Sequence, residues 1–128
     1  MSALIQPVLR GLPLAGIPDL VEAVERSICQ DAARELVGGS PNAVPERYGQ
    51  ASPAALLPTG IPQILINGGL DPIVPLDYAR QYVDAATAFG DQVELQILPE
   101  AGHFEIVVPT TFAWETVRTA VRNSFNRY

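Results

Sequence analysis

Asp71 and His103 are the side chains whose types and spacing point to chemistry. Asp71 stands in Gly68-Gly69-Leu70-Asp71-Pro72-Ile73-Val74-Pro75. His103, the only histidine, follows 32 residues later in Ala101-Gly102-His103-Phe104-Glu105. An aspartate that accepts from one imidazole nitrogen fixes the tautomer and leaves the other nitrogen free as a base. That arrangement is two thirds of a hydrolytic triad, and the third member is the nucleophile. The bland readings are an Asp-Pro turn former for Asp71 and an ordinary packed histidine for His103. The Gly-His-Phe setting and the pairing of the two loops favour the acid–base reading. Adding Glu105 would make a metal set only with more imidazoles or a denser ligand cluster, so no metal and no cofactor is expected.

The elements around these residues must bring them together. Ile64-Leu65-Ile66 is apolar on both faces, as a strand between two helical layers would be, and it runs into the first motif. Val93 to Leu98 alternates apolar and polar and runs into the second, so it reads as a strand with one wetter face. Between them Ala79, Tyr82, Val83, Ala86 and Phe89 recur at helical spacing, and Gly90 stops the helix. Two parallel neighbouring strands joined by one right-handed crossover place Asp71 and His103 at the same sheet edge.

The rest of the chain extends this pattern. Met1 to Pro7 reads as an untethered start. Val8 to Ala15 reads as an imperfect or edge strand, because Gly11 weakens it and Pro13 cannot donate to a ladder. Asp19 with Glu22 has the form of a capping box opening a helix. Leu20, Val24, Ile28, Ala32 and Leu36 form its core stripe, and Gly38-Gly39 ends it. Cys29 lies beside that stripe with no histidine near it in sequence, and reads as an unreactive thiol. Ser40 to Pro62, rich in proline and alanine, reads as an ordered loop over one end of the sheet, with a short helical turn at Glu46 to Gln50. Trp114, Val117, Val121 and Phe125 mark a final helix, with Arg118, Arg122 and Arg127 toward its negative end. The order strand, helix, loop, strand, helix, strand, helix predicts an α/β fold. It has three layers: a short, mostly parallel sheet of about three strands flanked by helices.

Composition narrows the function classes. A chain of 128 residues with 48% hydrophobic and 17% charged content suits one packed domain spanning residues 1–128. The net charge of −6, with no cluster of lysine or arginine, argues against nucleic acid and anionic membrane as partners. No apolar run approaches a membrane span and no export signal is evident at the N-terminus. With a single cysteine, a cytoplasmic setting is expected.

These motifs together resemble the C-terminal half of the α/β-hydrolase family, in its prolyl-oligopeptidase and esterase-like branch. The resemblance runs from about Val8 to Phe125. It is carried by Leu14-Ala15-Gly16-Ile17-Pro18-Asp19-Leu20, Val37-Gly38-Gly39-Ser40-Pro41, Ser52-Pro53, Pro62 to Pro75, and Leu98-Pro99-Glu100-Ala101-Gly102-His103-Phe104. It implies that Asp71 is the triad acid and His103 the general base. It also implies acyl or peptide-like substrates, an acyl-serine intermediate without a metal, and strands equivalent to the sixth, seventh and eighth of an eight-stranded sheet. The chain departs from the family in lacking a Gly-x-Ser-x-Gly nucleophile elbow. Its serines are Ser2, Ser27, Ser40, Ser52 and Ser124. Ser40 is the nearest imitation, but it follows a helix rather than a strand. The oxyanion-hole residues would also lie upstream, and one such donor is typically worth about 3 kcal/mol.

Three functions compete on these grounds. The first is a fragment or remnant of a serine hydrolase, esterase-like or peptidase-like, inactive alone and completed by an N-terminal half. The second is a non-catalytic module that forms a homodimer through an exposed sheet edge, against which Pro13 argues. The third is an enzyme that uses His103 on water or substrate without an acyl-serine.

Overall fold

A computed structural model of the chain describes residues 8–126. Met1 to Pro7 and Arg127, read above as a free start and a helix-end cation, lie outside the described residues. The elements are α1 (Leu20–Glu25), α2 (Ala32–Val37), α3 (Pro45–Ala51), β1 (Gln63–Gly68), α4 (Leu76–Ala88), β2 (Val93–Leu98) and α5 (Phe112–Phe125), with 3₁₀ turns at Pro53–Leu56 and Glu105–Val107. The α3 helix realises the helical turn expected inside the proline-rich loop.

β1 and β2 pair in parallel, from Gln63 opposite Val93 to Gly68 opposite Leu98. The expected first strand is present only as isolated bridges, Gly11 to Gln63 and Leu14 to Ile66, both parallel. Its backbone bonds reveal its phase. Gly11 N–H donates to Pro62 O and Ala15 N–H to Ile66 O, while Gly11 O and Pro13 O accept from Ile64 and Ile66 N–H. The missing N–H of Pro13 therefore falls on the side facing β1, and it is this inner ladder that the proline weakens. The outer side of the segment, carried by Leu12 and Leu14, therefore loses no donor to Pro13.

Alternation along β1 sorts the two faces of the sheet. Ile64 and Ile66 face α5, where Ile66 packs with Ala101, Ile106, Ala113, Val117 and Ala120, and with Leu12 and Leu14 of the first segment. On the other face Tyr82 of α4 donates its hydroxyl to Gln63 Oε1 at 3.1 Å. A second cluster of Ala23, Ile28, Ala33, Val74 and Tyr78 joins α4 to α1 and α2. Burying a side chain such as Ile66 completely contributes about 2 kcal/mol.

The helix expected over 19–37 is broken in two. Ser27, Cys29 and Gln30 adopt left-handed φ values of 53°, 55° and 59°, so the chain turns between α1 and α2. Buried Ile28 reaches the second cluster from inside that turn. The break shifts the core stripe of α2 from Ala32 and Leu36 to Ala33 and Val37, and Leu36 is 81% exposed. A Ser-Ile pair of modest helix propensity after a six-residue helix offers little resistance to that turn.

The helix start is held as half a capping box. Asp19 Oδ1 accepts from Glu22 N–H at 3.0 Å, but Glu22 turns to Arg26 instead of reaching back. Tyr78 takes that second role. Its hydroxyl accepts from Asp19 N–H at 3.2 Å and donates to Asp19 O at 2.7 Å. Burial pushes the Tyr78 phenol up to about 12. The stability this linkage provides is full below pH 10 and is lost as pH rises through 12. An ultraviolet titration should show one tyrosine ionising near pH 12. Tyr78→Phe should remove that transition and cost about 2 kcal/mol in urea unfolding, because Asp19 N–H loses its partner while Asp19 O keeps only the bond from Ala23 N–H. A Tyr78→Phe chain as stable as wild type would remove Tyr78 as the cap.

Candidate active site

β1 and β2 end side by side, and their following loops are stitched together. Gly69 N–H donates to Leu98 O at 2.8 Å and Leu70 N–H to Ala101 O at 2.9 Å. The closest approach is at Gly68, where an added Cβ would fall inside the contact shells of the Ala101 and Gly102 carbonyl oxygens. Ala101 is fully buried and anchors the second loop. The sheet edge thus holds Asp71 and His103 against one another.

His103 Nδ1 lies 2.8 Å from Asp71 Oδ2. The Asp71 side chain is fully buried, and that of His103 is 21% exposed. The other carboxylate oxygen, Oδ1, accepts from Ile73 N–H at 2.7 Å and Val74 N–H at 2.8 Å. The turn-former and acid–base geometries are therefore both present, with one oxygen serving each. An ionised carboxylate only accepts, so Nδ1 carries the imidazole proton and Nε2 is left with its lone pair. The Phe104 ring meets the imidazole edge-on, with centroids 4.9 Å apart and planes at 88°.

The imidazole opens onto a cleft of about 470 Å³ lined by Ser27, Cys29, Gln30, Pro72, Ile73, His103 and Phe104. The wall opposite the His103 loop is the left-handed turn between α1 and α2. Cys29 is an exposed free thiol there, which places it near the histidine that its local sequence lacks. Ser27 is the serine that lines this cleft. Ser40 instead accepts from Ala43 N–H with its Oγ at 3.2 Å, as a turn-capping side chain does. Sequence reading missed this wall, because residues some seventy positions before His103 reach it only through the fold. Their one signature is positive φ at non-glycine residues, which leaves no mark in the residue types. Among the described residues, no group of three or more His, Cys, Asp or Glu side chains is placed to hold a metal ion. No described helix is long and apolar enough to cross a membrane.

No family model matches the sequence, and no curated protein does. Solved structures do match the fold. Pyrococcus horikoshii acylaminoacyl peptidase aligns with a TM-score of 0.73 at 19% identity, covering 93% of this chain and 20% of that one. Esterase 2 of the planctomycete Thermogutta terrifontis, in its propionate-bound form, aligns at 0.63 and 20% identity, covering 96% of this chain and 46% of the esterase. A puromycin hydrolase aligns at 0.60 and 23% identity over 74% of this chain and 15% of its own. The chain has a partial α/β-hydrolase fold and spans less than half the length of each of these structures.

Proposed function

We propose that this chain supplies the acid–base half of a serine-hydrolase-type acyl-transfer site, esterase-like or peptidase-like, and corresponds to the C-terminal half of such an enzyme. The observation that carries this reading is the Asp71–His103 pair: a 2.8 Å contact at Nδ1 from an imidazole that lines the cleft. The likeness to peptidase and esterase structures supports it. In this reading His103 takes a proton from a nucleophile at Nε2 and returns it to the leaving group, while Asp71 holds the tautomer and stabilises the imidazolium. The cleft receives a small acyl or peptide-like group. The nucleophile and the oxyanion donors come from outside residues 1–128, since no Gly-x-Ser-x-Gly elbow lies within them.

The test is hydrolysis of a small activated acyl ester by the purified chain, with His103→Ala in parallel. Slow turnover of the kind a free imidazole gives is expected, about a million-fold below a complete serine hydrolase. It should show no acyl-enzyme burst and should be lost in His103→Ala. Equal rates for the two proteins would mean that Nε2 is not a working base.

A further inference from the structure

We propose that Gln30 makes the cleft beside His103 selective for peptide-like groups over esters, with Phe104 receiving an uncharged apolar side chain next to the reacting carbonyl. The inference rests on the acyl-transfer reading for where the substrate lies, and it concerns recognition rather than the base. Two walls of unlike chemistry carry it. Pro72, Ile73 and Phe104 form the apolar one, and no Lys, Arg, Asp or Glu lines the cleft. Pro72 and Ile73 follow Asp71, and Phe104 follows His103, so an apolar group seated on them lies beside the acid–base pair. Phe104 is 66% exposed, which leaves an aromatic surface that the fold itself does not cover, as ligand clefts present.

The opposite wall is polar and held in place. Ser27, Cys29 and Gln30 stand on the left-handed turn, in a conformation that glycine adopts without steric cost. Side chains kept at such positions point to a functional wall. Buried Ile28 anchors the turn from within. Arg26 anchors its start: the guanidinium pairs with Glu22 and with Asp77 at 2.6 Å each and donates to Gln81 Oε1 at 3.0 Å. Asp77 and Gln81 belong to α4, the helix that the Asp71 loop enters. The polar wall is thus tied to the element that follows the triad acid.

Gln30 is the member of this wall that can read a peptide group. Its backbone N–H donates to Ser27 O at 3.0 Å, while the residue itself is exposed. A primary amide offers both N–H donors and a carbonyl acceptor. A peptide group presents the complementary pair, one carbonyl and one N–H. An ester presents the carbonyl alone, so Gln30 Oε1 then meets no donor from the ligand. A serine hydroxyl turns to suit either group and a thiol bonds weakly, so Ser27 and Cys29 do not discriminate in this way.

Cys29 is the only cysteine and lines the same cleft, so disulfide capture on the full chain reads the preference. The thiolate attacks a symmetrical disulfide reagent, keeps one half as a mixed disulfide and releases the other half as a thiol. The acetyl-leucyl amide of cystamine should be captured about 3- to 10-fold more than the acetyl-leucyl ester of the matching hydroxyethyl disulfide, the worth of one hydrogen bond. Gln30→Ala should abolish that difference, and Ser27→Ala should keep it. The leucyl amide should also exceed its glycyl counterpart, and Phe104→Ala should level the two. Gln30→Gly separates recognition from folding: with its left-handed backbone relaxed, the chain should keep its urea midpoint while the amide preference disappears. Equal capture of amide and ester by the wild type, or a preference that survives Gln30→Ala, overturns the inference. Either result beside His103-dependent hydrolysis leaves the acyl-transfer reading standing. Intact preferences with equal hydrolysis by wild type and His103→Ala would instead overturn that reading and keep Gln30 as the selective group.

Discussion

Gly68→Ala is expected to cost about 3 kcal/mol, the upper end for overpacking, because the new methyl has nowhere to go. Its neighbours are the carbonyl oxygens of Ala101 and Gly102, and the carbonyl carbon of Ala101 at 2.9 Å. These are main-chain atoms, so no side chain can rotate to make room. Ala101 is fully buried beneath α5, and its carbonyl already accepts from Leu70 N–H. Relief can come only by parting the loops that carry Asp71 and His103. Urea unfolding should thus show the stability loss, and the imidazole resonances of His103 should lose the signature of the bond to Asp71. Gly69→Ala should behave similarly though less severely, since its Cβ would meet the Pro99 backbone at 2.9 Å. Gly49→Ala is the control. Nothing lies within 4 Å of a Cβ there, and alanine in the interior of α3 should stabilise by about 0.5–1 kcal/mol. If Gly68→Ala proved as harmless as Gly49→Ala, the close approach of the two loops would not be what holds the site together.

The features visible in the sequence were those set by local chemistry. Gly68, Gly69 and Asp71 after one apolar run, with Gly102 and His103 after another, identified the parallel pair and the sheet edge where the side chains meet. The α5 stripe was legible as helical but rotated in detail. Its contacts are made by Ala113, Val117 and Ala120, because alanines let a helix lie close to a sheet, whereas bulky Val121 and Phe125 stand at 41% and 77% exposure. The same holds for α4, where Phe89, just past the helix end, is 60% exposed and Tyr78 takes a buried position with a hydroxyl that caps α1. The turn at 26–31 was illegible because its left-handed residues are Ser27, Cys29 and Gln30 rather than glycine or asparagine. That turn forms one wall of the cleft, so the part of the site that meets a ligand was hidden while the acid–base pair was not. Pro13 illustrates a further limit. A proline in a strand removes one donor, but only the direction of its neighbours' bonds shows which edge loses it.

Asp71→Asn should leave the fold nearly intact and abolish whatever turnover depends on His103. The amide oxygen can still accept from Ile73 and Val74 N–H, as Oδ1 does now, so the turn into α4 survives with neutral bonds. The amide nitrogen then takes the place of Oδ2, 2.8 Å from His103 Nδ1. An NH₂ group only donates, so Nδ1 must become the acceptor and the imidazole proton moves to Nε2. The ring keeps its place and loses its free base. Hydrolysis should fall to the His103→Ala level, a loss of about 10⁴-fold where such a tautomer switch operates in a complete triad. Nitrogen-15 shifts of the imidazole report the switch directly, from protonated Nδ1 in the wild type to protonated Nε2 in the variant. Asp71→Ala separates the structural from the chemical role. It removes the acceptor for the Ile73 and Val74 N–H groups in the turn that leads into α4, one of them on fully buried Val74, and should cost about 3 kcal/mol in addition to the loss of turnover. An Asp71→Asn protein that kept wild-type turnover with an Nδ1-protonated ring would show that the carboxylate serves the turn alone, and that His103 is not oriented by it.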